Sequence, residues 1–241
     1  MNATQFDLSS ITRSTYDEIV LSSLDPELKQ QIIDLVNKAA DADKVDEHGS
    51  WDFSAAFDRK GRGQAINWDL YGVGYDVHSS QLLIVVQVRK YEKQHSGWWP
   101  RIRKNYFLVG TNEDGSTFAH AVSHAPIFAA IRAERDVILA VQNWIFGGDY
   151  ANMLRHGDLA LVPMKSRPAG SKGQLRKVAV LEESHELHAV QIATVDGRVY
   201  AKNPQLHHLP GTHSDVSAIG WYRIMIGNRA KFWKFAAPTI D

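Results

Sequence analysis

Apolar residues of the first forty positions recur at helical spacing. Leu28, Ile32, Leu35, Val36 and Ala39 form one stripe. Asp25-Pro26 stands before it, an N-cap residue followed by a proline suited to the first helical position. This predicts a helix from residue 25 to about residue 40. Residues 41–50 (DADKVDEHGS) are polar and predict a loop.

From Trp51 the pattern shortens. Aromatic and β-branched runs over 51–57, 71–77, 81–89, 106–110 and 117–122 predict strands, separated by Gly, Asn, Asp and Ser. The run QLLIVVQVRK from Gln81 has a solid apolar centre, which predicts a strand covered on both faces. Asn112–Ser116 (NEDGS) predicts a hairpin turn. Ile127, Ile131, Ile138, Val141 and Ile145 share one helical face, so one helix is expected from Pro126 to about Phe146, stopped by Gly147-Gly148. Strands then resume at 158–163, 176–181, 187–194, 198–202 and 219–226, with Asp196-Gly197 as a hairpin signal. Residues 170–174 (GSKGQ) predict a loop.

The fold class that follows is α+β: mainly antiparallel sheet with a few flanking helices, and a C-terminal part that is an all-β barrel or sandwich. Three segments are expected. Residues 1–46 form an acidic helical segment, 47–150 an α+β domain, and 151–241 a β-rich domain containing histidines.

Composition narrows the function classes. With 44% hydrophobic and 22% charged residues, the chain can bury a core and is not disordered overall. No apolar run is long enough to span a bilayer, and the opening MNATQFDLSS lacks the features of an export signal. There is no cysteine, which excludes disulfides, thiol nucleophiles and thiolate metal sites. A soluble cytoplasmic protein is the expectation. The P-loop, the dinucleotide fingerprint, the G-x-S-x-G elbow, H-E-x-x-H and the Ca²⁺ loop are all absent, so no reaction can be named. The net charge of zero conceals an asymmetry: residues 1–58 hold 12 acidic against 4 basic residues, and 59–241 hold 15 against 23. The acidic part reads as a solvated surface or as a segment that docks on a partner.

Two constellations carry candidate chemistry. Residues 89–104 (RKYEKQHSGWWPRIRK) combine Arg89, Lys90, Lys93, Arg101, Arg103 and Lys104 with Tyr91, Trp98 and Trp99, opposed only by Glu92. Flanking strands make this a hairpin whose cations suit phosphates and whose aromatics suit unpaired bases or a protein hot spot. Arg89, Lys93, Trp98, Trp99, Arg101, Arg103 and Lys104 are the candidate contacts. The partner is a protein, a second copy of the chain, or nucleic acid, with no membrane involved. The second constellation is His185, His188, His208, His213 and Asp215, near His207 and the acidic residues Glu182, Glu183 and Glu186. Imidazoles with a carboxylate suit Zn²⁺ or Fe²⁺. On a strand His213 and Asp215 share a face, whereas His185 and His188 point to opposite faces. His185 is expected on the turn that enters the strand. Adjacent His207 and His208 are expected to place only one ring in any one site. The leading expectation is a binding or assembly protein that uses the hairpin. The alternative is a metal-dependent enzyme with a His/Asp site in the C-terminal part.

The segments Gly157–Pro163 (GDLALVP), Ser184–His188 (SHELH), Leu206–His213 (LHHLPGTH) and Gly220–Arg223 (GWYR) resemble an uncharacterised bacterial family. Its members carry GDxxLVP, GHxH and HEEH segments and a closing GxYR strand. This chain departs from that pattern, with H-x-x-H in the first pair and an insertion in the second. The resemblance implies a compact β-domain with inward-facing histidines and implies no activity.

Overall fold

The computed structural model describes residues 5–42, 68–92, 101–111, 115, 117–156, 159–170, 176–181, 185–209 and 215–227. The stretch 51–57 lies outside them. Three α-helices and twelve strands form among the described residues, so the α+β expectation holds. None of these helices is long and apolar enough to cross a membrane. The chain divides into two compact units, residues 1–142 and 143–228.

In the first unit, helix α1 (Pro26–Ala42) starts where the local signals place it. The Asp25 Oδ1 accepts from the backbone N–H of Glu27 at 2.8 Å and of Leu28 at 3.2 Å. All five residues of its stripe are buried. They pack on a meander of β1 (Trp68–Tyr75), β2 (Leu82–Glu92), β3 (Arg101–Thr111) and β4 (Thr117–Val122). The shared core includes Leu28, Ile32, Ile84, Val86, Phe107 and Val109. Every residue from Leu83 to Val88 is buried, Gln87 included, as the solid apolar centre of the run predicts.

The other face of β1 is met by two helices, α2 (His124–Arg132) and α3 (Val137–Phe146). The single helix expected over 126–146 is therefore broken. Glu134 adopts a left-handed φ of 50°, and Asp136 Oδ1 caps the new helix by accepting from Ile138 N–H at 2.7 Å and Leu139 N–H at 3.1 Å. The apolar spacing runs through this break, which hid it. A β-bulge at Leu70–Gly72 shifts the register of β1 against β2. Nearby main-chain acceptors are satisfied from the N-terminal segment: Ile19 N–H donates to the Leu70 carbonyl at 2.6 Å, and Arg13 donates to the Tyr71 carbonyl at 2.9 Å.

Helix α3 ends at Gly147, which takes the left-handed φ of 63°, while Gly148 N–H donates to the Asn143 carbonyl at 3.0 Å. The second unit is an eight-stranded antiparallel sheet: β5 (Leu154–His156), β6 (Leu159–Met164), β7 (Arg176–Leu181), β8 (His185–Val195), β9 (Arg198–Lys202), β10 (Gln205–His208), β11 (Val216–Ser217) and β12 (Trp221–Ile226). Its path runs β11-β10-β8-β9-β12-β6-β5, with β7 on β8. The end strands β5 and β11 meet, so the sheet curls into a nearly closed barrel around Leu159, Leu161, Leu187, Ile192, Ala201, Leu206 and Ile224. Asp196 and Gly197, both at positive φ, turn β8 into β9.

Candidate functional site

The first candidate grows out of the meander. β1 accompanies β2 as far as Val88, and β4 accompanies β3 as far as Tyr106. β2 and β3 continue to pair with each other beyond those points. Their register sets Arg89 against Lys104, Lys90 against Arg103, Tyr91 against Ile102 and Glu92 against Arg101. Among the described residues, this outer part of the hairpin is a two-stranded arm. Lys104 is exposed on it. Lys93, Trp98 and Trp99 lie outside the described residues. Arg101 and Arg103 are placed on the arm by their backbone.

The arm's root is built from polar and aromatic side chains. Arg89 reaches back to Asp69, Nη2 to Oδ1 at 3.0 Å. Gln87, 1% exposed, donates from Nε2 to the Tyr106 hydroxyl at 2.6 Å and to the Tyr71 hydroxyl at 3.2 Å. Tyr71 and Tyr106 meet edge to face at 5.5 Å, and Phe128 of α2 meets both rings edge to face. Burial pushes the Tyr71 phenol up to about 12, helped by Tyr106, Asp69 and Glu18 and opposed by the Gln87 hydrogen bond. Burial raises Tyr106 as well. Burial also holds Asp69 above the usual carboxylate range, outweighing the Arg89 guanidinium beside it. Arg89 thus ties the root of the arm to β1.

The second candidate lies at one end of the barrel. Strand alternation sorts its histidines onto two faces. Leu187 and Leu206 are Cα partners in the core, and two residues along each strand His185 and His208 are Cα partners too. Their ring centroids are 4.7 Å apart. His185 is 3% exposed and opens β8, where a turn was expected. The near closure of the barrel brings in His156 from β5, 2% exposed, with its ring 5.2 Å from His185 and 6.4 Å from His208.

His188 and His207 point the other way, with ring centroids 5.2 Å apart. Each is tied to a carboxylate, His188 Nε2 to Glu186 Oε2 at 3.2 Å and His207 Nδ1 to Asp215 Oδ2 at 2.7 Å. The structure therefore brings His185 and His208 together and sets His188 and Asp215 in a different, outer group. His213 lies outside the described residues. Among the described residues, no group of three or more His, Asp or Glu side chains stands at ligand geometry for a metal ion.

Sequence reasoning missed His156. Its strand is three residues long, and its neighbours in the inner group come from distant parts of the chain. The one local signal was Gly157-Asp158 behind it, a turn pair between two strand-forming segments. Comparison with family models, with curated proteins and with solved structures gives no match.

Proposed function

We propose that the chain is a binding protein that holds a single-stranded nucleic acid along the β2–β3 arm. The observation that supports this reading is the extension of the hairpin, among the described residues, beyond both flanking strands. A lone two-stranded ribbon gains little stability in water. This one also sets cation against cation at Arg89–Lys104 and Lys90–Arg103, and like charges directly opposite are unfavourable. A partner that neutralises them offsets that cost. Besides Arg89, which pairs with Asp69, the stretch carries five cations: Lys90, Lys93, Arg101, Arg103 and Lys104. Trp98 and Trp99 supply faces on which bases can stack.

The test is fluorescence anisotropy of a labelled oligothymidylate titrated with the full chain at several salt concentrations. If all five cations meet phosphates, log K falls with log[salt] at a slope of about −3.5. Arg103→Ala with Lys104→Ala flattens the slope by about 1.4. Trp98→Ala with Trp99→Ala weakens binding at every salt concentration, by about 1–3 kcal/mol per stacked base, and leaves the slope unchanged. A slope that none of these variants alters sinks the proposal. Equal affinity for polyglutamate, with no effect of the tryptophan pair, reassigns the arm to an acidic protein partner.

A further inference from the structure

We propose that the barrel of the second unit binds one divalent first-row transition cation, of the Zn²⁺ class, between His156, His185 and His208. The argument begins with the rings. A four-coordinate ion bound to imidazole nitrogens at about 2.0–2.1 Å holds its ring centroids about 5 Å apart. The three separations here are 4.7, 5.2 and 6.4 Å, so two lie close to that value and the third exceeds it by little more than a bond length. The rings meet at interplanar angles of 54°, 74° and 71°, and are not stacked in parallel. Edge-to-face rings can turn their nitrogens toward one centre by side-chain rotation. That rotation is needed, because the group does not already stand at ligand geometry.

Strand pairing sets the frame that holds the rings. His185 and His208 are fixed as Cα partners on neighbouring strands, one pair beyond Leu187 and Leu206. His156 is Cα partner to Leu159, a fully buried core residue. The three imidazoles therefore form the layer next to the barrel's apolar filling, where backbone motion is restricted. His208 is half-buried, which leaves a side from which an ion and a water molecule can enter. Three neutral nitrogen donors select a borderline cation such as Zn²⁺ over Ca²⁺ or Mg²⁺, which prefer oxygen. Three protein ligands also leave a fourth position for water, the pattern of catalytic and not of closed structural zinc sites.

The outer histidines provide an internal control. His188 and His207 carry carboxylate partners and are more than a third exposed, with two rings in the group among the described residues. A surface pair of this kind binds metal without the third imidazole. The inner and outer sites can therefore be told apart by substitution.

The experiment titrates Co²⁺, then Zn²⁺, into chelator-treated full-length protein, using visible absorption and calorimetry. The expected result is one Co²⁺ per chain with the intense d–d bands of a four-coordinate ion, displaced by one equivalent of Zn²⁺. His156→Gln, His185→Gln and His208→Gln each weaken binding at least about tenfold, whereas His188→Gln and His207→Gln leave it within about twofold. Circular dichroism checks that each variant is folded. If the substitutions at the two buried positions prevent folding, His208→Gln at the half-buried position carries the test. It is then read beside the ring ¹⁵N shifts of the three histidines in the unsubstituted protein on adding Zn²⁺. Absence of the four-coordinate spectrum overturns the proposal, as does binding that follows His188 and His207 while ignoring the inner three.

Discussion

Tyr71 and Tyr106 share one donor, the buried Gln87 amide, and both phenols are held neutral by burial. The consequence appears at alkaline pH. An unfolded tyrosine ionises near 10 and Tyr71 in the fold at about 12. The folded state therefore keeps its proton longer than the unfolded state. The stabilisation is fully present below the unfolded value and disappears as pH rises through the folded one. Tyr71→Phe removes this titration. In urea denaturation from about pH 9 upward, the variant loses stability less steeply than the parent. At neutral pH it is weaker by about 1 kcal/mol, since one hydroxyl acceptor of Gln87 is gone while Tyr106 remains. Parallel alkaline slopes for the two proteins would mean that Tyr71 is not protected. The same residues root the arm, so under the proposed function Gln87, Asp69 and Arg89 are positioning residues that orient the ribbon.

At the scale of elements, the contact of α3 with β1 depends on two missing side chains. A Cβ on Gly72 would stand 2.9 Å from Val137 Cγ1, and one on Gly74 would stand 2.9 Å from Ile138 Cγ1. Neither glycine needs an unusual backbone, so the requirement is close approach alone. Gly72→Ala is expected to cost about 1–3 kcal/mol of unfolding free energy by overpacking. Val137→Ala in the same chain makes room and recovers part of that loss, so a double-mutant cycle in denaturant shows coupling. Additive effects would place the strain elsewhere, for example at Val85, whose Cβ is 3.3 Å from the same point. Elements of this kind were readable from sequence where their determinants are local. Asp25-Pro26 and the stripe behind it mark α1, and the Leu83–Val88 run marks a doubly covered strand. Asp196-Gly197 marks the β8–β9 turn. Reading failed where a stronger periodicity masked a local signal. Ile131 and Ile138 are in phase across the α2–α3 break, and Asp136 was the cap that disclosed it. It failed again where elements are too short to show a period, as for β5, β10 and β11. The inner histidine group shares that fate: two of its members were named from the sequence, but the third arrives through barrel closure, which no local pattern encodes. The hairpin was legible as a basic aromatic stretch. That it outruns its flanking strands among the described residues follows only from the register.

For the whole molecule, two apolar clusters among the described residues have no residue in common. The first gathers α1 with the meander, and the second fills the barrel. Each unit thus buries its own apolar cluster, the main source of folding free energy, within its own stretch of chain. If the two clusters act as separate cores, unfolding is not two-state and a core substitution is felt in only one transition. Ile84 and Leu187, both fully buried, are suitable probes, one in each cluster. Ile84→Ala and Leu187→Ala each remove a packed side chain at a cost of about 2–5 kcal/mol. Hydrogen exchange followed by mass spectrometry assigns the damage, through peptides covering β2 in the first unit and β8 in the second. Ile84→Ala should accelerate exchange in β2 and leave β8 unchanged, with Leu187→Ala doing the reverse. Calorimetry of the parent should show a heat-absorption profile too broad for one cooperative unit, and each variant should lower only one component. If both substitutions lower a single sharp transition and accelerate exchange in β2 and β8 alike, then the chain folds as one cooperative body despite its separate cores. In that event a ligand at the barrel histidines would also stabilise the sheet that carries the arm, by the mass action of binding to the native state alone. Separate transitions instead confine that stabilisation to the barrel.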